Sequence, residues 1–114
     1  MTALGKALNH LTDCIKKYRT ANLMDGECLN TCLQQITATL FYLETERAKV
    51  HEKFQQHLNL CVLEGMAVSR AENEANVKYP EMYKLRRIME AGYECVGAIR
   101  SNLSWLKAEK SNFV

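Results

Sequence analysis

The sequence predicts an all-α fold, on three observations. Apolar residues recur at alternating three- and four-residue steps in three separate stretches, which places them on one face of a helix each time. A single proline interrupts the 114 residues, and almost nothing between Gly26 and Pro80 can break a helix. In the two longer stretches the mean step is that of a coiled-coil a/d seam, because side chains about 3.5 residues apart stay on one face of a slightly underwound helix. The expected architecture is one helical domain over residues 1–114. It comprises a short N-terminal helix and a long antiparallel helical hairpin, together a coiled-coil-like three-helix bundle. A single helix kinked at Pro80 is the competing arrangement.

The first helix is expected over about residues 3–22, striped by Leu4, Leu8, Leu11, Ile15 and Tyr18. Met24-Asp25-Gly26 punctuates the chain. Asp25 can cap the next helix, and Glu27 suits the positive end of its dipole. The second helix is expected over residues 26–64, with the seam Leu29, Leu33, Ile36, Leu40, Leu43, Arg47, Val50, Phe54, His57 and Cys61. Gly65 either ends this helix or only weakens it, since an interior glycine costs about 1 kcal/mol. Residues 66–78 stay helix-compatible, with Ala67, Ala71 and Ala75 repeating at four, so an extension to residue 78 is open. Arg47 and His57 are polar residues at seam positions. Drift at 3.6 residues per turn would carry Leu58 and Val62 inward in place of His57.

Pro80 is the decisive break: it pushes Tyr79 out of the α region and suits the first turn of a third helix, expected over residues 80–110. Residues 111–114 read as a short tail. The third helix has its own seam, Met82, Leu85, Met89, Gly92, Val96, Ile99, Leu103 and Leu106. Its opposite side is the informative one. Ala91, Gly97, Ala98, Ser101, Trp105 and Ala108 lie where a solvated face is usually dense in Lys and Glu. Small residues let another helix approach closely and Trp105 seeks a partner, so a homo-oligomer interface is expected there. A modestly polar surface carrying helix-favouring alanines is the alternative.

Composition removes several function classes. A net charge of +2 supplies no whole-protein field for nucleic acid, so any such contact needs a local patch. No window approaches the roughly 18 apolar residues of a membrane span, and residues 1–21 lack the uncharged apolar run of a signal peptide. Five cysteines, an odd number, lie mostly on or beside apolar faces; reduced, buried thiols of a cytoplasmic protein are expected. Cys28 and Cys32 share a helix face, but a zinc site needs three or four ligands and no second Cys/His pair stands at ligand spacing. No cysteine shows an identifiable base beside it, and the five glycines form no phosphate loop. Neither a metal, a cofactor nor an enzymatic activity is expected.

One constellation remains. Tyr79, Arg86, Tyr93, Arg100 and Lys107 recur every seven residues beside the last seam; Lys78, Lys84 and Arg87 thicken the start of the line and Lys110 extends its end. Basic groups neutralise phosphates and tyrosine rings stack on unpaired bases, which makes this line a candidate surface for single-stranded nucleic acid. Seam-flanking charges also commonly pair with glutamates of the facing helix, which is the plainer reading.

The segments Ala67-Val-Ser-Arg-Ala-Glu-Asn-Glu-Ala75, Tyr83-Lys-Leu-Arg-Arg87 and Ala98-Ile-Arg-Ser-Asn-Leu-Ser-Trp-Leu-Lys107 resemble small coil-forming proteins of tailed phages and prophages. More loosely, the chain resembles the phage recombination mediator family called UvsY, over roughly residues 28 to 110. The shared order is a long helix, an alanine-rich turn region and a final helix with an Ala-Ile-Arg-Ser element, here Ala98 to Ser101, followed by a lysine, here Lys107. The resemblance implies a ring-like homo-oligomer that binds single-stranded DNA, contacts a single-strand-binding protein and helps load a recombinase, with Arg100 and Lys107 as phosphate contacts. The chain departs from that family in the middle of its long helix, where only Arg47, Lys49 and Lys53 stand in place of a dense basic cluster. The expected function is thus a non-enzymatic accessory factor in phage-type DNA recombination or replication. The alternative is an adaptor, inhibitor or structural helical module with no nucleic-acid role.

Overall fold

The computed structural model describes residues 2–112, with side chains up to Glu109. Four helices follow in order, α1 (Ala3–Thr20), α2 (Gly26–Leu63), α3 (Val68–Lys78) and α4 (Glu81–Asn112), and no strand occurs among the described residues. The all-α class is as expected; the count of three helices is corrected to four.

Helix α1 starts because the Thr2 hydroxyl accepts the Gly5 amide at 3.0 Å. It stops two residues short of the expected end. Ala21 is extended (ψ 151°), and the Asn22 carboxamide oxygen accepts the Met24 amide at 3.0 Å. That local turn competes with a further helical turn. Asp25 then caps α2 by accepting the Cys28 amide at 3.1 Å, as its position predicts.

Gly65 is a true stop. Its φ of +96° is left-handed, and the Met66 and Gly65 amides donate to the Cys61 and Val62 carbonyls, each at 3.0 Å. This paired 6→1 and 5→2 bonding closes the helix end and needs a residue without Cβ strain. The chain reverses here, so residues 68–78 extend no helix but form α3, laid back on α2. Ala71 and Ala75 are fully buried in that contact; two small side chains one turn apart let the helices approach closely.

Pro80 separates α3 from α4. Tyr79 sits at φ −125°, ψ 65°, outside the α region as a pre-proline residue should be. Helix α4 begins one residue later than expected and includes Ser111 and Asn112, which the sequence assigns to a tail; Phe113 and Val114 lie outside the described residues.

Helices α2 and α4 run antiparallel. Leu106 packs near Gly26 and the Tyr93 hydroxyl bonds Glu44, while the Tyr79 ring, just before α4, meets His57. Helix α1 covers one side of their pair at the Gly26 end, where Leu11, Leu40 and Gly92 converge. Asn102 donates to the Tyr18 hydroxyl at 2.7 Å and ties α4 to α1. Leu8, Leu11 and Ile15 meet Leu29, Ile36 and Leu43 of α2 and Leu85, Met89 and Ile99 of α4 in the core. Each fully buried side chain of this kind contributes about 1.5–3 kcal/mol before cavity and entropy terms.

Past Val50 the α2 seam thins, and Cys61 is its one buried residue among those described. The molecule is therefore a three-helix bundle with a slender two-helix arm, 69 × 29 × 19 Å overall. His57 stays half-buried beneath the Tyr79 ring (6.2 Å between centroids), and Val62 remains exposed at 37 %, against the expectation that drift would exchange them.

Candidate nucleic-acid interface

Because α1 covers one side of the α2–α4 pair, the other side is an open groove. Three separate hollows lie along that side, bordered from α4 by Arg86 and Tyr93, by Arg100 and by Lys107 in turn. The line is oblique, since residues seven apart drift by about 20° per heptad on a straight helix. Arg86 is exposed and borders the hollow that Asn76 of α3 also lines, while Lys107 lies nearer α2, beside Glu27 and Asn30.

Tyr79 does not belong to this line. It ends α3, and its ring is held edge-on to His57 with the Lys78 ammonium 5.9 Å from its centroid. It lies over the seam of the arm, one element before the helix that carries the rest of the stripe. Lys84 is exposed at the start of α4, and the Lys110 side chain lies outside the described residues.

Arg87 places its guanidinium 5.8 Å from the Tyr83 ring centroid and donates to the Tyr83 hydroxyl at 3.4 Å. The pair presents an exposed aromatic face beside a positive charge. Tyr83 was not among the predicted site residues, although its position one turn before Arg87 was a readable signal.

Carboxylates interleave with these cations. Arg86 donates to Glu90 at 3.3 Å, and Arg47 lies 3.5 Å from Glu44. Both pairs are largely solvated, and such pairs contribute about 0–1 kcal/mol. Glu44 also accepts the Tyr93 hydroxyl, and that bond, followed by burial, pushes the Tyr93 phenol above its ordinary pKa. Arg100 makes no ion pair among the described residues. It borders a shallow apolar hollow with Leu33, Ala38 and Phe41, and Phe41 is 80 % exposed. Phe41 was also missed, because it lies off the seam on which the sequence reading was phased.

The expected oligomer face is largely outward. Gly97, Ala98, Ser101 and Ala108 are exposed, Trp105 is half-exposed, and a Cβ added to Gly97 would meet nothing within 4 Å. Ala91 is the exception: it packs partly buried against the core.

The cysteines are free. Burial raises the thiol pKa of Cys14, Cys32 and Cys95 above the ordinary value, which disfavours the thiolate. Cys14 does have a base beside it, with His10 Nε2 at 3.6 Å, and Cys61 has His57 Nε2 at 3.6 Å. Both pairs are four apart on one helix, a spacing that sets each imidazole one turn before its thiol. Among the described residues no group of three or more His, Cys, Asp or Glu side chains is placed to hold a metal ion. No described helix is long and apolar enough to cross a membrane. No protein family, curated protein or solved structure matches the chain.

Proposed function

We propose that this chain is a non-enzymatic helical accessory protein that assembles with copies of itself and binds single-stranded nucleic acid along the open edge of α4. The reading rests on one observation above others: Tyr83, Arg86, Arg87, Tyr93, Arg100 and Lys107 follow one another on a single unbroken helix, and all but Arg87 border the hollows between α2 and α4. From Tyr83 to Lys107 that edge is about 36 Å long at 1.5 Å per residue. Exposed rings between cations offer stacking and charge neutralisation in alternation, a sequence-tolerant way to hold a strand. Net charge is low, so each chain binds weakly. Self-association through Gly97, Ala98, Ser101, Trp105 and Ala108 would multiply that weak contact. The resemblance to phage recombination mediators points the same way, toward loading a recombinase beside a single-strand-binding protein.

The test is anisotropy of a labelled oligothymidylate with wild type and with Arg86, Arg100 and Lys107 changed together to Glu. Wild type is expected to bind at low salt, and the triple variant to lose binding with its helical circular dichroism intact. Absence of binding by wild type at low salt would end the proposal.

A second reading is favoured by Glu27, Glu44 and Glu90 on the same face and by the exposed Phe41. It makes the groove a docking site for a partner protein, without nucleic acid. Phe41→Ala would then abolish partner capture while the triple charge reversal left oligonucleotide behaviour unchanged.

A further inference from the structure

A hollow of about 510 Å³ lies where α2, α3 and α4 meet, beside the Pro80 break. Its origin is legible in the chain. The α2 seam carries Arg47 where an apolar residue would fill the space opposite Met89, and the guanidinium turns out to Glu44 instead. Helix α1 lies on the other side of the α2–α4 pair and does not cover the gap. Asn76 of α3 borders it next to the elbow.

We infer that this hollow seats one nucleoside phosphate unit, with the base against Phe54 and Tyr83 and the phosphate between Arg47 and Arg86. Three features argue for that ligand. The volume falls within the roughly 300–1,000 Å³ of small-molecule sites. The floor is apolar, formed by Met82 and the buried Met89, and the Tyr83 and Tyr93 rings stand on its rim, 65 % and 49 % exposed. Cations reach it from two walls, Arg47 from α2 and Arg86 from α4, and the His51 imidazole borders it one turn after Arg47. A bare anion would leave the apolar floor wet, and an apolar peptide would leave two guanidiniums unused. The carboxylates of Glu44 and Glu90 now hold those guanidiniums through exposed ion pairs, which are weak enough for a phosphate to displace. Tyr93 is held in place by its bond to Glu44, so the rim is set before the ligand arrives.

The seat rests on the single-strand reading for one of its two sources, a strand rather than a free nucleotide, and the experiment separates them. The full chain is titrated with AMP, with ribose 5-phosphate and with oligothymidylate, and amide shifts are followed by NMR. AMP at millimolar concentration is expected to move signals confined to residues 47–54, Asn76 and residues 82–93. It should bind about tenfold more tightly than ribose 5-phosphate, the usual worth of stacking one base. The double variant Arg47→Gln, Arg86→Gln should weaken AMP by about tenfold or more, since hydrogen bonds to charged groups are lost. Tyr83→Leu should bring AMP down to the level of ribose 5-phosphate. Equal affinity for the two phosphates would make the hollow an anion site only and refute the seat. AMP leaving these signals unmoved would also refute it; AMP in the hollow with oligothymidylate bound and these signals silent to the strand would support the seat for free nucleotides and leave the α4 edge as the strand interface. AMP in the hollow without oligothymidylate binding would support the seat, assign it to free nucleotides and end the single-strand reading.

Discussion

Gly92 and Gly97 stand five residues apart on α4, and changing each to Ala is expected to move stability in opposite directions. A Cβ at Gly92 would lie 3.0 Å from Leu40 Cδ2 and 3.3 Å from Leu11 Cδ2. Those leucines are 3 % and 0 % exposed, so neither methyl has free space to swing into. A Cβ at Gly97 meets nothing within 4 Å. Both substitutions gain the same helix propensity, about 1 kcal/mol. That gain cancels in the difference between the two variants, which isolates the overpacking cost at Gly92, typically about 1–3 kcal/mol. In thermal unfolding this is a gap of roughly 4–15 °C for a chain of this size, with Gly97→Ala above wild type. The assay is circular dichroism melting at a concentration where light scattering gives the mass of one chain, so that the self-association proposed through Gly97 does not enter. If Gly92→Ala raised Tm as much as Gly97→Ala, α1 would not be seated across the α2–α4 pair and the three-helix packing would be wrong.

Gly65→Ala should destabilise by about 1–2 kcal/mol, because it forces a Cβ residue to φ +96° with no compensating contact; chemical denaturation midpoints measure it. The Tyr93 phenol should titrate above an ordinary tyrosine, and Glu44→Gln should lower its pKa. Since folding raises this pKa, its stabilising effect is present below the unfolded tyrosine value and is lost as pH rises through the folded one; tyrosinate absorbance and alkaline melts follow both. Cys14, Cys32 and Cys95 should resist thiol-specific disulfide reagents until the protein unfolds, because burial disfavours the thiolate of each; a fast phase from these residues in the native state would contradict the core described.

Much of the fold was legible because apolar spacing is a direct record of burial. Leu8, Leu11, Ile36, Leu43, Leu85 and Ile99 were all phased to the interior and are there. Asp25 and Pro80 punctuate where their chemistry requires. Gly65 was ambiguous for a physical reason: one glycine costs a helix only about 1 kcal/mol, so tertiary packing decides whether it ends one. What decides here is the burial of Ala71 and Ala75 against α2, a contact between segments that no local pattern encodes. The Asn22 turn was missed because a side chain bonding its own neighbourhood leaves no periodic trace. The proposed binding edge was half readable. Seven-residue spacing located Arg86, Tyr93, Arg100 and Lys107, but it carried the line across Pro80 to Tyr79, whose ring belongs to the arm. Arg47 was noted as a polar residue in the seam; that its outward turn leaves a hollow depends on what faces it from α3 and α4.

The salt dependence of oligothymidylate binding tests the central claim most directly. With Arg86, Arg87, Arg100 and Lys107 as phosphate contacts, a plot of log Kobs against log salt should have a slope near −3, about −0.7 per contact on a single strand. Reversing Arg86, Arg100 and Lys107 to Glu should abolish binding. A slope near zero, or binding that survives the reversal, would contradict the account and move the function to the protein-docking groove.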